Sequence, residues 1–442
     1  MTTLAYVSEL SITLVERLKR ATILLVLASL VLTLVGFILT VKAATATDMD
    51  ARPFLFFYSL FITSFIFSRI TAAALWKEPT KSITLELLAS YEPSVSIVIP
   101  CKNEEADIED TVRKSFSAHY PRHLLEVIVI NDGSTDGTIG VLRRVQKEFP
   151  ELTIVDWKVN RGKRHGMAEG FRRAKGEIIV QLDSDSFIVP ETFRELILPF
   201  ANPRIGAVSA HAEPTNRNWS FLSKMQAAYY GISFRIFKAA ESSFNTVFCC
   251  SGCSSAYRKS VALPILDRWL GEKFLGKPVT WGDDRSLTSW VLRGGSETTY
   301  TFRARAFTIV PWTFRQLLIQ QIRWKKSWII NSVLTAKFIW KERPFVAFTY
   351  FFPLIFVTLT TPIIAIRTFV YTPIVTGTFP TLYIFGVLLI ALLVVVCMRL
   401  LSREKTMQSL YFLPWSILNM LFMSALLFYA MVTIQDRGWG TR

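Results

Sequence analysis
The chain sets long apolar runs on either side of a central polar block. Residues 21–41 carry no charge, 53–73 carry only Arg69, and 345–366 and 379–398 carry none. Stretches of about 18 or more apolar residues are long enough to cross a bilayer as helices. A further uncharged stretch, 410–434, holds Pro414 near its start. Inside the central block the pattern changes. "SVSIVIP" (94–100), "LEVIVINDGS" (125–134), "EIIVQLDSD" (177–185) and "IGAVSA" (205–210) are short apolar runs, three of which end in polar or turn residues. Residues 107–117 and 138–149 have helical composition between them. Such alternation predicts a parallel sheet with helices on its faces.

Composition sharpens the apolar half of this reading. Hydrophobic residues make up 51% of the 442 and the mean hydropathy is +0.34, so an integral membrane protein is expected. The 21–41 run is longer than a signal-peptide core, so it reads as a retained anchor. The net charge is +16. A nucleic-acid binder would gather that charge in one patch. Here Arg17, Lys19 and Arg20 precede the first run, and Arg399, Arg403 and Lys405 follow the fourth. Basic flanks mark the cytoplasmic side, and the 367–378 loop, with one charge, fits the outside. The N-terminus and the block from about 76 to 344 are then cytosolic.

Two amphipathic helices are expected at the boundary. In the first, Leu318, Ile322, Ile329 and Val333 follow helical spacing around "QQIRWKKSW" (320–328), with Arg315, Lys325 and Lys326 basic, which suits a helix lying on the membrane. The second places Leu222, Met225, Tyr229, Ile232 and Ile236 on one face and Lys224, Arg235 and Lys238 off it. This one reads equally well as a core helix. Pro414 disturbs a straight helix, and Arg437 and Arg442 follow the run. The 410–434 stretch is therefore expected at the cytosolic interface as a broken helix, giving four spans.

Candidate chemistry sits where the strands end. In open α/β sheets, ligands bind beyond the carboxyl ends of the strands. Those ends carry Asn103 and Glu104, Asp132, and the pair Asp183 and Asp185. Carboxylates at a buried strand end need a cation. None stands beside Asp183 and Asp185 in sequence, so Mg²⁺ or Mn²⁺ bridging to a diphosphate is expected. A solvated Asp-Ser-Asp turn is the competing reading for that motif alone. "Asn160-Arg-Gly-Lys163-Arg164-His165" supplies cations suited to phosphate. In "WGDDRSLT" (281–288), Asp283 and Asp284 are adjacent, so their side chains diverge. One then pairs with a cation while the other faces substrate as a general base. The competing and compatible reading is a helix N-cap, since Asp before "RSLTSWVL" caps a helix well. Cys250-Ser251-Gly252-Cys253 has zinc-like spacing, but no second Cys or His pair accompanies it. The four cysteines of the cytosolic block are expected to stay reduced.

From Ser94 onward the chain resembles the processive, inverting, membrane-embedded glycosyltransferases with a GT-A fold, and most of all the hyaluronan synthases, which are related to chitin and cellulose synthases. "NDGS", Asp183-Ser-Asp185, Asp283-Asp284 and "QQIRW" carry the general likeness. "FLGKPVTWGDDRSLT", "QQIRWKKSW", Cys250-Ser251-Gly252 and "GWGTR" (438–442) carry the closer one. Cys253 departs from the proline common after "CSG" in that family, which touches acceptor preference.

The resemblance implies an α/β fold: a cytosolic, Rossmann-like GT-A domain over 76–312, joined to an α-helical transmembrane region. An N-terminal hairpin (1–75), an interface helix (313–344), a membrane region (345–434) and a gating segment (435–442) complete it. It places Asn103, Glu104 and Asp132 at uridine and Lys163 and Arg164 at the diphosphate. Asp183 and Asp185 are the nucleotide-metal motif, with Asp185 the direct ligand. Asp284 is the base, beside Asp283. Gln320, Gln321, Arg323 and Trp324 hold the acceptor end and diphosphate, Cys250, Ser251 and Gly252 lie by the acceptor, and Trp439, Thr441 and Arg442 close over the nucleotide. UDP-GlcNAc and UDP-glucuronate, a nascent polysaccharide and membrane lipid are the implied partners, with no nucleic acid, for a monomer or homodimer in the plasma membrane. A chitin-like or other capsular polymer is the nearest alternative. A non-catalytic membrane protein with a decayed transferase domain is the other, opposed by the intact Asp132, Asp183, Asp185 and Asp284.

Overall fold
A computed structural model describes residues 53–402 and 407–436, with isolated positions between 18 and 37. The expected first span, 21–41, and the gating residues Trp439, Thr441 and Arg442 therefore lie largely or wholly outside the described residues.

The central block, expected to be cytosolic, is built on β1 (Val95–Cys101), β2 (Leu125–Asp132), β3 (Thr153–Trp157), β4 (Ile178–Gln181), β5 (Phe187–Ile188), β6 (Ile205–Pro214) and β7 (Ser255–Arg258). A small hairpin, β8 (Lys273–Phe274) and β9 (Lys277–Pro278), stands apart, and β10 (Glu297–Thr308) returns to the main sheet. The eight-stranded order is β3-β2-β1-β4-β7-β6-β10-β5. β1 to β4 run parallel, but β7 is antiparallel to both β4 and β6, and β5 is antiparallel to β10. The sheet is mixed, which corrects the expectation of a purely parallel one. β1 is buried at all seven positions because helices cover both faces, which is why it reads as an unbroken apolar run.

One face packs Val95, Ile97 and Ile99 against the helix Ile108–Phe116 through Ile108 and Val112. On the other, Val98, Ile128 and Ile130 meet Met167 and Phe171 of the helix Lys163–Arg173. This second core runs on without a break into Ile70, Tyr350, Phe351, Val394 and Met398 of the apolar helices. Sheet and membrane helices thus share one hydrophobic interior.

Phe57–Leu75, Pro344–Thr376 and Tyr383–Ser402 are helices long and apolar enough to cross a membrane, matching three of the expected spans by length and composition. Arg69, the one charge in its run, is buried: its guanidinium donates to Thr349 O at 3.0 Å and lies 4.2 Å from the centre of the Tyr350 ring. The Met407–Val432 stretch has enough length and hydropathy to span as well. Its helical turns change along it, tight over Met407–Tyr411, regular over Phe412–Leu418, wide over Asn419–Met423 and regular again over Leu426–Val432. Both of its ends meet the central block. Tyr411 packs edge-on to Phe221 at 5.7 Å, while Ile434 joins Trp281 and Ile330 at the far end.

The two amphipathic helices are Phe221–Ile232 and Phe314–Ala336. Each starts with a reciprocal cap, Ser220 with Ser223 and Thr313 with Gln316, which satisfies donors left open at a helix start.

The linker after the Pro53–Leu75 helix is held by Glu78, whose carboxylate accepts from Thr301 Oγ1 (3.0 Å) and Phe302 N (3.1 Å) on β10. Burial pushes this carboxyl up from 4.5 to about 7, against the pull of those hydrogen bonds and of Arg303 and Arg235. A folded-state value above the unfolded one adds stability that is fully present below about pH 4 and is lost as pH rises through about 7. The thermal midpoint of the detergent-solubilised protein should therefore fall more steeply from pH 5 to 8 than that of Glu78→Gln. Parallel curves for the two proteins would exclude this role.

Candidate active site
The ends of β1 and β2 are tied to each other before any ligand is considered. Asn103 holds a left-handed backbone (φ 54°), with its N–H on Ser134 Oγ (2.9 Å) and its Oδ1 accepting from Thr135 N (2.8 Å). Glu104 N donates to Thr138 Oγ1 (2.9 Å). Asp132 is 3% exposed, and its two oxygens accept from the amides of Arg161 (2.6 Å) and Gly162 (2.9 Å). Asp132 thereby fixes the loop that delivers Lys163.

Lys163 opens its helix and reaches across to β4, where its Nζ lies 2.5 Å from Asp183 Oδ1. No cation stands beside Asp183 in sequence, but folding brings to it one that is 20 residues away. Burial alone would lower the Lys163 pKa, but Asp183, Asp283 and Asp284 together raise it, so the ammonium stays charged. Gln181 Nε2 donates to the same Oδ1 (3.1 Å), while Oδ2 takes neither bond. Asp185 accepts from Ser186 Oγ (3.0 Å).

Asp283 and Asp284 stand in the first turn of the helix Asp283–Arg293, after Gly282 in a left-handed conformation (φ 75°). A Cβ at Gly282 would lie 1.9 Å from Ser327 Oγ and 2.9 Å from Asn331 Nδ2, so the QQIRW helix presses directly on this turn. The two carboxylates diverge as expected. Asp283 is 6% exposed and accepts from Arg164 Nε at 2.9 Å. Arg164 also donates to Trp269 O (3.2 Å), with Glu272 at 3.7 Å. Arg164 is therefore not a cation facing a diphosphate: it is buried behind the cleft as the partner of Asp283, 119 residues away. Asp284 turns the other way. Its Oδ2 accepts from Gly252 N (3.2 Å) and lies 3.5 Å from the Cys249 thiol.

Gly252 is the link between the two acidic motifs. Its carbonyl accepts from Asp183 N (3.1 Å) while its amide donates to Asp284. A Cβ here would come within 2.9 Å of Asp183 Oδ1 and 3.0 Å of Oδ2, so no side chain fits without moving the carboxylate. Cys250 N donates to Thr288 Oγ1 (2.9 Å), which pins the loop to the same helix. Burial pushes the Cys250 and Cys253 thiols up to about 12, and both remain unpaired thiols. Among the described residues no cluster of three or more His, Cys, Asp or Glu is arranged to hold a metal. The zinc reading of the CxxC spacing therefore has no support there.

The QQIRW helix closes the cleft. Burial lowers the pKa of Arg323 and Asp183 opposes this only in part, which puts the guanidinium within electrostatic reach of that carboxylate. Trp324 is 36% exposed, with its ring 6.3 Å from Tyr230. Gln321 is buried, and Gln320 Oε1 is buried with no hydrogen-bond partner among the described residues. The last described residue, Asp436, offers its carbonyl to Lys326 Nζ on the same helix (3.4 Å), so the chain reaches this helix just before "GWGTR". Sequence reasoning missed Lys238, which grips the Cys249–Gly252 loop from below. Its signal was weak, a second basic residue three positions after Arg235.

The glycosyl transferase family 2 profile matches residues 96–264. Hyaluronan synthase of Streptococcus pyogenes is 31% identical over 375 residues, covering 81% of this chain and 88% of that protein. An N-acetylglucosaminyltransferase of Azorhizobium caulinodans is 28% identical over 352 residues, covering 79% and 87%. In structure, a mannosyltransferase of Pyrobaculum calidifontis, solved with GDP-Man and Mn²⁺, overlays with a TM-score of 0.53 at 20% identity, over 86% of this chain and 99% of that one. The chain belongs to glycosyl transferase family 2, in the group that holds the hyaluronan synthases. It is a processive glycosyltransferase whose GT-A domain is joined to membrane helices.

Removing one partner of a buried ion pair typically costs about 3–5 kcal/mol, because the other charge is left unpaired. Arg164→Met should destabilise the cytosolic domain on that scale. Arg164→Met/Asp283→Asn should recover more than half of the loss. A single variant with an unchanged unfolding midpoint would show that the pair carries no such burden.

Proposed function
We propose that this enzyme polymerises UDP-GlcNAc and UDP-glucuronate into hyaluronan on the cytosolic face and passes the chain through its own membrane helices. The observation that carries the reading is the convergence on Gly252: one backbone link joins the Asp183 motif to Asp284, under the QQIRW helix. The likeness to the streptococcal hyaluronan synthase supports the choice of polymer. The rhizobial N-acetylglucosaminyltransferase keeps a GlcNAc polymer as the second reading.

In this reading an acceptor hydroxyl, with its sugar stacked on Trp324 and its loop side against Cys250, Ser251 and Gly252, loses its proton to Asp284. The oxygen attacks the anomeric carbon in line as the bond to the UDP oxygen breaks, turning an α donor into a β linkage. Asn103 and Glu104 border the uridine, with Asp132 holding the loop beneath it. Lys163 and Arg323 offset the negative charge that grows on the departing diphosphate. Gln320, with an unsatisfied buried oxygen, and Gln321 orient the acceptor end.

A divalent cation fits the donor set. Asp183 and Asp185 offer hard oxygens at the end of β4, Asp183 Oδ2 is left out of the Lys163 and Gln181 bonds, and the diphosphate would complete the coordination. The mannosyltransferase that shares the fold was solved with Mn²⁺. When bound, Mg²⁺ or Mn²⁺ would stabilise the leaving diphosphate as a Lewis acid. Both ends of Met407–Val432 rest on the cytosolic block, which favours an interfacial strap over a further crossing and keeps the C-terminal Trp439, Thr441 and Arg442 on the nucleotide side of the plasma membrane.

Asp284→Asn keeps the shape of the turn but cannot take the proton. It should lower polymerisation by about 10²–10⁴-fold, the usual share of a general base, with UDP affinity largely retained by calorimetry. A near-normal rate would remove Asp284 from the mechanism. The purified enzyme should need both donors and a divalent metal, stop in excess EDTA, and make a product that a hyaluronan-specific lyase digests. Polymer formed from UDP-GlcNAc alone would favour the second reading.

A further inference from the structure
Lys238 is buried, 8% exposed, at the end of the wide helical turn Ser233–Lys238. Its Nζ donates to Cys249 O (2.8 Å), Ser251 Oγ (2.6 Å) and Ser209 Oγ (3.1 Å), and it lies 4.2 Å from the centre of the Phe234 ring. Three N–H groups thus meet three acceptors. No carboxylate of the described residues forms an ion pair with it. Taking an ammonium out of water is costly unless it is hydrogen-bonded or paired. Here the compensation comes from a loop and from Ser209, which is fully buried in β6.

That loop is the one that joins the acidic motifs. Two of the three bonds fall on Cys249 and Ser251, and the next residue, Gly252, accepts from Asp183 N and donates to Asp284. The Asp284 side is fixed to its helix, since Asp284 O accepts from Thr288 Oγ1, which in turn accepts from Cys250 N. The opposite side of the loop is anchored to the sheet through Lys238 and Ser209. Without the ammonium, Ser251 and the Cys249 carbonyl lose their donor, and Gly252 is free to move against both carboxylates.

We propose that Lys238 is a positioning residue for transfer: it clamps the Cys249–Gly252 loop to β6 and so sets the spacing between Asp183 and Asp284. The proposal rests on the assignment of Asp284 as base made above. It is distinct from a role in binding the nucleotide, because all three of its donors are spent on the protein.

Lys238→Met keeps the packing against Phe234 and removes the donors. A displacement of about 1 Å at a reacting group costs on the order of 10²-fold in rate. The expected result is a kcat lower by at least about tenfold, with KM for the donors and Kd for UDP changed less than about twofold. Lys238→Arg, which keeps charge and donors, should recover part of the rate. Hydrogen exchange should accelerate in the 249–254 backbone of Lys238→Met and stay unchanged in β1 and β2. Unchanged exchange at 249–254 would overturn the proposal, as would a parallel loss of UDP affinity and rate. If Lys238→Met fails to fold, Lys238→Gln carries the same measurements. Should Asp284→Asn stay active, the base assignment falls while the exchange data still decide whether Lys238 clamps the loop.

Discussion
Three carboxylates, those of Asp183, Asp283 and Asp284, lie within electrostatic reach of one ammonium, Lys163, and the need to compensate each of them is the constraint on which the rest of the site depends. Like charges brought together in a partly buried site must each find a cation or a donor. The protein solves this with three different partners. Lys163 takes Asp183, Arg164 takes Asp283, and the amide of Gly252 meets Asp284. The first two come from one helix start and lie one residue apart, so a single turn faces the cleft with an ammonium and its back with a guanidinium. Asp284 differs in kind from the other two: its oxygens are met by the amides of Gly252 and Arg285 and by the Cys249 thiol.

The scaffold serves this arrangement. β1 and β2 end at the same level while β4 stops opposite Val98; Asn103 and Ser134 stitch the first two loops together, and Asp132 holds the loop that leads to Lys163. The antiparallel β7 follows directly from the Gly252 loop, so the sheet and the acidic motifs are fixed by the same few residues. The core beneath then continues into the apolar helices, and the catalytic block has no separable interface with them.

How much of this was legible in the sequence follows from what each feature depends on. β1 and β2 were visible because burial on both faces leaves nothing but apolar residues, and their helices because spacing is a local property. β5 and β7 were not, because two and four residues carry no period of their own and their pairing is set by distant strands. Folding brings Lys163, Asp183, Asp283 and Asp284 together, but which of them pair was not legible in the sequence. Lys163 and Arg164 were both assigned to a ligand, yet each meets an aspartate far off in the chain, and only folding decides such pairs. Regular helical spacing puts Lys238 off the apolar face of its helix. The wide turn over Ser233–Lys238 changes that phase and carries it inward, a local departure from 3.6 residues per turn that the sequence did not announce.

The left-handed Gly282 has a mechanical consequence. Because any side chain there would collide with Ser327 and Asn331, the turn bearing the base and the helix bearing Arg323 and Trp324 touch with no slack between them. A displacement of that helix along its axis would be transmitted to Asp284 undamped. On the proposed roles, the helix that holds the sugar chain and the carboxylate that activates it are geared together, so one does not move without the other.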